Sequence, residues 1–174
     1  MILMDYFKLA KVFSCCNSFD SRKKVQKIIY ILKEMGYPFN EKFDFHFYGP
    51  YSQELALEIE TLSYMGILKE TKEENQGWNQ YSYQITDNGK KWAEKCQDNE
   101  LNGIEDIVRT LNNKTARELE LIATILYFKN LSKEEIIHKI YELKSDKNYS
   151  ENEIKNAFNF IKEKLFINSW GRQS

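Results

Sequence analysis

Three helix starts are marked in the second half of this 174-residue chain by the same short pattern. In each, a Ser or Thr is followed three residues later by Glu, so that the two side chains can cap each other's backbone amides. The pairs are Thr115 with Glu118, Ser132 with Glu135, and Ser150 with Glu153. Each pair precedes apolar residues at helical spacing. Together with an apolar stripe over residues 101–111, the pairs predict a domain of four helices over residues 99–174.

Two apolar segments of this half have predicted positions. The helix that follows Thr115 is apolar on nearly all sides between Leu119 and Phe128, which is typical of a helix buried at the centre of its domain. The apolar tail of Leu165, Phe166 and Ile167 is expected to pack back onto the rest of the chain.

The first half alternates between two periodicities. Helical stripes predict a first helix that stops near Asn17, a second that begins near Asp20 or Ser21, either of which could cap it, and a third over residues 52–65. Alternating residues predict a short strand over 43–47, broken by Gly49 and Pro50, and a β-hairpin formed by residues 67–72 and 81–85. A fourth helix follows the hairpin, capped by Thr86.

Helix, helix, short strand, helix and hairpin is the order of a winged helix-turn-helix. We therefore predict a mainly α chain of the α+β class with a small β-hairpin. A winged helix-turn-helix-like domain covers residues 1–98 and a helical domain covers residues 99–174. The polar stretch Gln97–Glu100 forms the boundary, and the two halves either fold separately or share one core.

Composition limits the classes of function. The chain has 25 Lys and Arg against 26 Asp and Glu, a net charge of -1, whereas a dedicated phosphate-backbone binder usually has a basic excess. Cys15, Cys16 and Cys96 lack the spacing of a disulfide framework, which predicts reduced thiols. The N-terminus has no basic leader and no apolar run is long enough to span a bilayer. We expect a cytoplasmic protein without membrane association.

No catalytic motif is present. The sequence contains no P-loop, dinucleotide fingerprint, nucleophile elbow or HExxH. His46 and His138 lie in different halves, and the adjacent Cys15 and Cys16 are poorly spaced for a zinc clamp. We predict that the chain is not an enzyme and holds no metal or cofactor.

The third helix favours a protein partner over DNA. It carries carboxylates and no Lys or Arg, so phosphates would be repelled where a winged helix usually reads DNA. Its outward face combines polar and apolar side chains, and an aromatic residue follows at the hairpin tip. The predicted partner-binding residues are Gln53, Leu57, Glu60, Tyr64 and Trp78. The alternative is that the C-terminal helices cover this face.

A basic cluster on the second helix keeps DNA open as a partner. Its members are Arg22, Lys23, Lys24 and Lys27. Lys23 and Lys27 fall opposite the apolar stripe of the helix, which predicts that both face solvent. The cluster is either a solvated helix face or a contact for phosphate or an acidic partner. The second interpretation supports the alternative function, a DNA-binding transcriptional regulator.

The turn Tyr48, Gly49, Pro50 and Tyr51 is the most unusual local motif. Gly49 permits backbone angles that other residues resist, and Pro50 fixes the entry into the third helix. The turn either sets the angle between strand and helix or lets Tyr48 and Tyr51 line a small groove.

Several segments resemble the YwgA-like family of small bacterial proteins. The similar stretches are SRKKVQKIIYILKEMGYPF, FDFHFYGPYSQEL, YSYQITDNGK, and ELIATILYF followed by LSKEEI, within Phe7–Phe160. A looser likeness in VQKIIY and YGP is to the Panacea domain, which is associated with phage genomes and toxin–antitoxin pairs. The resemblance implies a winged-helix-like core and a regulatory or interaction role, and it transfers no catalytic residues. We expect a non-catalytic interaction module, antitoxin-like or related to phage or defence, with homodimerisation left open.

Overall fold

The computed structural model describes residues 2–96, 99–165 and 167 and is mainly helical, with small antiparallel sheets. The helices are α1 Ile2–Ser14, α2 Arg22–Glu34, α3 Gln53–Tyr64, α4 Asp87–Glu94, α5 Ile104–Asn112, α6 Ala116–Tyr127, α7 Lys133–Leu143 and α8 Glu151–Phe160. The strands are β1 Phe19–Asp20, β2 Asp44–His46, β3 Gly49–Tyr51, β4 Leu68–Asn75 and β5 Trp78–Ile85. The predicted α+β class is confirmed. In the described part of the chain, no helix combines the length and apolarity that a membrane span requires.

Side-chain caps begin the helices where the sequence predicts them. The reciprocal capping bonds form at Thr115 and at Ser150. The Ser132 hydroxyl accepts from the backbone amide of Glu135 at 3.2 Å. Because a cap satisfies amides that the helix itself cannot pair, these side chains fix the starts of α6, α7 and α8. Residues 119–126 of α6 are all buried, which confirms its central position.

A three-stranded sheet forms in the first half with the order β1-β5-β4. The long hairpin β4–β5 was predicted, but β1 was not. It has two residues, which is too few to show an alternating pattern, and Phe19 pairs with Tyr83 of β5. Phe19 also packs edge-on against Phe13 of α1, with ring centroids 5.0 Å apart. The sheet is therefore tied to the core through its shortest strand.

The short strand predicted over 43–47 forms as β2 and ends before Gly49 and Pro50, but the returning strand that these two residues begin was not predicted. They lie in β3, which returns along β2 and pairs Phe45 with Pro50 and His46 with Gly49. A two-stranded ribbon leaves one side of each strand unpaired, so the missing amide of Pro50 breaks no ladder. Gly49 has φ +88°, which only glycine adopts without strain.

Buried residues of both halves form one contiguous cluster. α2 packs against α6, and α1 packs against α4 and α5. Leu165 and Ile167 are buried, so the predicted packing of the apolar tail is confirmed for these two, whereas Phe166 lies outside the described residues. The division into 1–98 and 99–174 stays a prediction, and Gln97 and Asp98 of its proposed boundary are also outside the described residues.

Substituting Gly89 by Ala is expected to lower the free energy of unfolding by about 1–3 kcal/mol, although Ala raises helix propensity by about 1 kcal/mol. Gly89 lies in α4, where an added Cβ would collide with the backbone oxygen of Ile67 and lie 2.8 Å from Cδ1 of Ile85. Urea denaturation measures the effect. The neighbouring exposed residue offers a matched control, since Asn88→Ala adds no contact and should cost nothing. Equal free energies of unfolding for the two variants would show that Gly89 of α4 does not pack this closely against Ile67 and Ile85.

Candidate functional site

The segment VQKIIY of α2 and the segment YGPYS, which leads into α3, are hydrogen-bonded to each other. The Gln26 amide of α2 donates to the backbone oxygen of Ser52 at 2.9 Å and accepts from the backbone amide of Ser52 at 2.8 Å. Both residues are buried. The Ser52 hydroxyl in turn caps α3 by accepting from Leu55 at 3.1 Å. The side chain of Gln26 therefore acts as a backbone partner that fixes where α3 begins.

Lys27 is 2% exposed, and the prediction that it faces solvent is wrong. Its ammonium group donates to the backbone oxygen of Pro50 at 2.8 Å. The hairpin β2–β3 covers the side of α2 that lies opposite the apolar stripe. The spacing of residues within α2 cannot predict this contact, because the hairpin is a distant segment of the chain. Burial lowers the pKa of Lys27 to about 8; Glu120 opposes this, whereas Lys144 and Lys23 lower the pKa further.

A buried charge cluster lies beneath the hairpin β2–β3. We use this name for Lys27, Glu120 and Lys144, all of which are at least nine-tenths buried. The Lys144 ammonium lies 3.5 Å from Oε1 of Glu120 and donates to the backbone oxygen of Phe47. The Tyr149 hydroxyl donates to Oε2 of Glu120 at 3.1 Å. One buried carboxylate thus offsets one of the two positive charges of the buried ammonium groups, which hold carbonyls of the hairpin.

The three other basic residues of the predicted cluster on α2 differ in their contacts. Arg22 donates to the Tyr83 hydroxyl at 3.0 Å and lies 3.5 Å from the Glu70 carboxylate. Lys24 donates to the backbone oxygen of Asn112 at 2.7 Å. Lys23 is exposed, and its ammonium lies 3.4 Å from the centre of the Tyr48 ring. Of the four predicted contact residues, Lys24 and Lys27 therefore bind backbone oxygens within the fold, Arg22 is paired with Glu70, and Lys23 is exposed.

A cavity of about 590 Å³ lies between α2, the hairpin β2–β3, α3 and the long hairpin. The wall from α2 includes Lys23, Gln26 and Lys27, and the wall from the short hairpin includes Tyr48 and Tyr51. Both tyrosines line it, as the groove interpretation of the turn predicts. The volume falls within the range of small-molecule pockets.

The opposite wall of the cavity is acidic. Gln53 and Glu60 of α3 line it, and so does Glu70 of β4. Arg22 lines the same end and is paired with Glu70. The cavity therefore has cations on its α2 side and carboxylates on its α3 and β4 side, with aromatic rings between them.

The outward face of α3 is exposed. Leu57 is 53% exposed and Tyr64 is 93% exposed, and the described C-terminal helices leave both uncovered. Gln53 and Glu60 are exposed as well and border both this face and the cavity. Trp78 is also exposed, at 58%. It lies five residues from the cavity residue Tyr83 along β5, which separates the two residues by about 17 Å. The structure brings four of the five predicted partner-binding residues to one face and leaves Trp78 apart.

A pair of carboxyl groups behind α3 has no counterpart in the sequence predictions. Glu58 of α3 and the buried Glu41 each have a buried side-chain oxygen without a hydrogen-bond partner among the described residues. A hydrogen bond between the two carboxyl groups would require one of them to keep its proton. Burial, with the neighbouring Glu41 carboxyl and its charge, raises the pKa of Glu58 to about 8.

Glu58→Gln is expected to stabilise the protein at about pH 8 by about 1–3 kcal/mol and to have little effect at about pH 5. Unfolded Glu58 loses its proton near its ordinary pKa of 4.5, whereas the folded protein keeps it until about 8. Between these values the folded state binds more protons, so rising pH destabilises it. The amide that the substitution introduces can donate to Glu41 at any pH. Urea denaturation at both pH values measures the difference, with the exposed Glu60→Gln as control. A constant offset between variants would contradict the shared proton.

The described residues contain no group of three His, Cys, Asp or Glu side chains placed to hold a metal. Cys15, Cys16 and Cys96 are free thiols. Burial raises the pKa of Cys15 to about 11, which keeps the thiol protonated and unreactive.

The sequence predictions missed Gln26, Glu120 and Lys144. A signal was present for one of them, since Glu120 is a carboxylate inside the helix predicted to be buried on nearly all sides. A buried carboxylate needs a partner, and one of the cations near Glu120 is Lys27, which helical spacing had placed in solvent. Gln26 and Lys144 carry no such signal, because their partners are distant in the chain. Gln26 binds the backbone of Ser52, and Lys144 binds the Phe47 carbonyl and the Glu120 carboxylate.

The chain is 43% identical over 162 residues to "Uncharacterized protein YwgA" of Bacillus subtilis (strain 168), an alignment that covers 93% of this chain and 97% of that protein. No family model matches the chain, and no solved structure matches it. The matched region includes α2, the hairpin β2–β3 and α6, whose contacts build the cavity and the buried charge cluster. By its identity and coverage the chain belongs to the YwgA-like family.

Proposed function

We propose that the chain is a non-catalytic interaction module that binds another protein through the outward face of α3 on a winged-helix-like scaffold. The strand order supports the scaffold: β1 follows α1, the long hairpin follows α3, and β1 pairs with the second strand of that hairpin. In a winged helix the helix before the wing is the one presented to a partner. Here that helix is α3.

The observation that carries the proposal is the exposure of Leu57 and Tyr64 on a helix without a cation. Two apolar side chains one heptad apart on a solvent-facing stripe form the kind of anchor that protein interfaces bury. The flanking carboxylate of Glu60 favours a partner with basic residues around an apolar centre. Phosphates would meet the carboxylates of α3 first.

Leu57→Asp and Tyr64→Asp are each expected to abolish co-purification of the partner from the native host. Both positions are exposed, so the free energy of unfolding should change by less than about 0.5 kcal/mol. Affinity purification with mass spectrometry, with and without nuclease, measures the loss.

Leu143→Asp is the matched control, because Leu143 is an exposed apolar residue on α7. This variant should retain the partner. Equal capture of one protein by Leu57→Asp, Tyr64→Asp and the unmodified chain would exclude the α3 face.

The second candidate is a DNA-binding regulator, favoured by the exposed Arg22 and Lys23 at the start of α2. It requires duplex binding that weakens steeply with salt and with Lys23→Glu. A mobility-shift titration at low salt decides between the candidates, since a protein-binding module gives no shifted duplex.

A further inference from the structure

We propose that the cavity between α2, the hairpin β2–β3 and α3 binds a free nucleoside monophosphate. The phosphate lies against the cations of α2, and the base packs on the aromatic residues of the hairpin. The inference does not rest on protein binding, because Leu57 and Tyr64 do not line the cavity.

The phosphate side of the cavity is defined by Lys23 and Lys27. Among the described residues, Lys23 has the Tyr48 ring as its neighbour and no carboxylate within 4 Å. The Pro50 oxygen takes one of the three N–H donors of Lys27, which leaves donors for a ligand oxygen. Both residues line the cavity. They can bind one phosphate from an exposed and a buried side.

The placement of charge along α2 favours an anion at this end. The first turn of α2 contains Arg22, Lys23 and Lys24 and no acidic residue. Glu70 offsets the charge of Arg22, and the positive end of the helix dipole lies there and disfavours the other two cations. A bound phosphate relieves this repulsion, whereas an empty cavity does not.

The ring side of the cavity consists of aromatic residues of the short hairpin. His46 and Tyr51 line it with ring centroids 5.0 Å apart, and Tyr48 lies beside them in the turn. Flat rings of this kind stack on a nucleobase. Gln53 and Glu60 on the facing wall supply acceptors for the exocyclic amine or the ribose hydroxyl groups.

The surroundings favour a free nucleotide over a nucleotide within a nucleic acid strand. The cavity of about 590 Å³ has room for one nucleotide. Further phosphates would run along α3, whose charged residues are all carboxylates. The buried charge cluster has one more cation than carboxylate, and with Lys23 this gives two positive charges for the two negative charges of one monophosphate.

The experiment is isothermal titration calorimetry of the full chain with AMP, GMP, CMP and UMP, and with ribose 5-phosphate, the four nucleosides and a short single-stranded oligonucleotide. At least one monophosphate should bind with a Kd below about 1 mM. The matching nucleoside and ribose 5-phosphate should each bind at least about ten-fold more weakly, since the nucleoside lacks the phosphate and ribose 5-phosphate lacks the base. The proposal is overturned if no monophosphate binds, if ribose 5-phosphate binds equally well, or if the oligonucleotide binds more tightly.

Variants locate the site on the same chain. Lys23→Ala should weaken the binding about ten-fold, whereas Lys90→Ala, an exposed lysine on α4, should not change it. At about pH 8 binding should take up protons, because a phosphate beside Lys27 raises the pKa of an amine that is half protonated there. Glu120, Lys144 and Lys23 face that amine and are unchanged in this measurement. Equal affinity of both variants, or binding without proton uptake, would overturn the assignment of the phosphate to this cavity.

Discussion

Replacing Glu120 by Gln is expected to lower the free energy of unfolding by about 3–5 kcal/mol, because it leaves buried cations without a counter-ion. Gln has the same shape and can still accept the hydrogen bond from Tyr149. The decrease in the free energy of unfolding therefore measures the contribution of the negative charge of Glu120. The ammonium groups of Lys27 and Lys144 would have to lose their protons or leave their buried positions beneath the hairpin. Urea denaturation at neutral pH measures the effect.

Two controls separate the buried charge from charge in general. Lys147 lies 3.7 Å from Glu120 but is partly exposed, so Lys147→Ala should cost less than about 1 kcal/mol. Glu142→Gln removes an exposed carboxylate on α7 and should be neutral. If Glu120→Gln proves as mild as these two, the buried charge cluster does not hold the hairpin in place.

Gln26→Ala is expected to lower the free energy of unfolding by about 1–3 kcal/mol, since it leaves the buried amide of Ser52 unpaired. The carbonyl of Ser52 loses one of its two hydrogen bonds and keeps the one from the Ala56 amide at 3.2 Å. Both hydrogen bonds come from one side chain, and no neighbouring group can replace them without moving α3. Hydrogen exchange of the α3 amides should increase together with the loss of stability, because Ser52 begins that helix.

A second substitution at the same position tests the geometry of this clamp. Gln26→Glu keeps an acceptor for the Ser52 amide but turns the donor into an oxygen that faces the Ser52 carbonyl. It should destabilise at least as much as Gln26→Ala. The exposed Gln53→Ala on α3 is the control and should be neutral. A fully stable Gln26→Glu protein would show that the clamp is not needed.

The helices were predictable because their signals are local. Thr115, Ser132 and Ser150 start helices by bonds within one turn, and the exposure of Leu57 and Tyr64 follows from the spacing of Leu55, Ile59 and Leu62 on the same helix. Each of these features depends on residues a few positions apart.

The strands and the site depend on contacts between distant segments. β1 is defined by its pairing with β5, and β3 forms because the turn at Phe47 and Tyr48 reverses the chain. Lys27 was placed wrongly for the same reason, since the hairpin that buries it lies 23 residues further along the chain. Helical spacing describes one helix and carries no information about what covers its other side.

The Panacea likeness, the winged-helix scaffold and the antitoxin-like role stay predictions. The structure shows how the segments that resemble the YwgA-like family contact one another. Gln26 and Lys27 of VQKIIY bind Ser52 and Pro50 of YGPYS, and Glu120 of the segment ELIATILYF lies beside Lys27. These segments build one junction that positions α3.

A photo-crosslinking residue placed at position 57 in the native host tests the α3 interface most directly. We expect one protein adduct that resists nuclease, that is absent when the crosslinker is placed at the exposed position 143, and that disappears in the background of Tyr64→Asp. Adducts to nucleic acid, or the same proteins crosslinked from positions 57 and 143, would contradict this expectation.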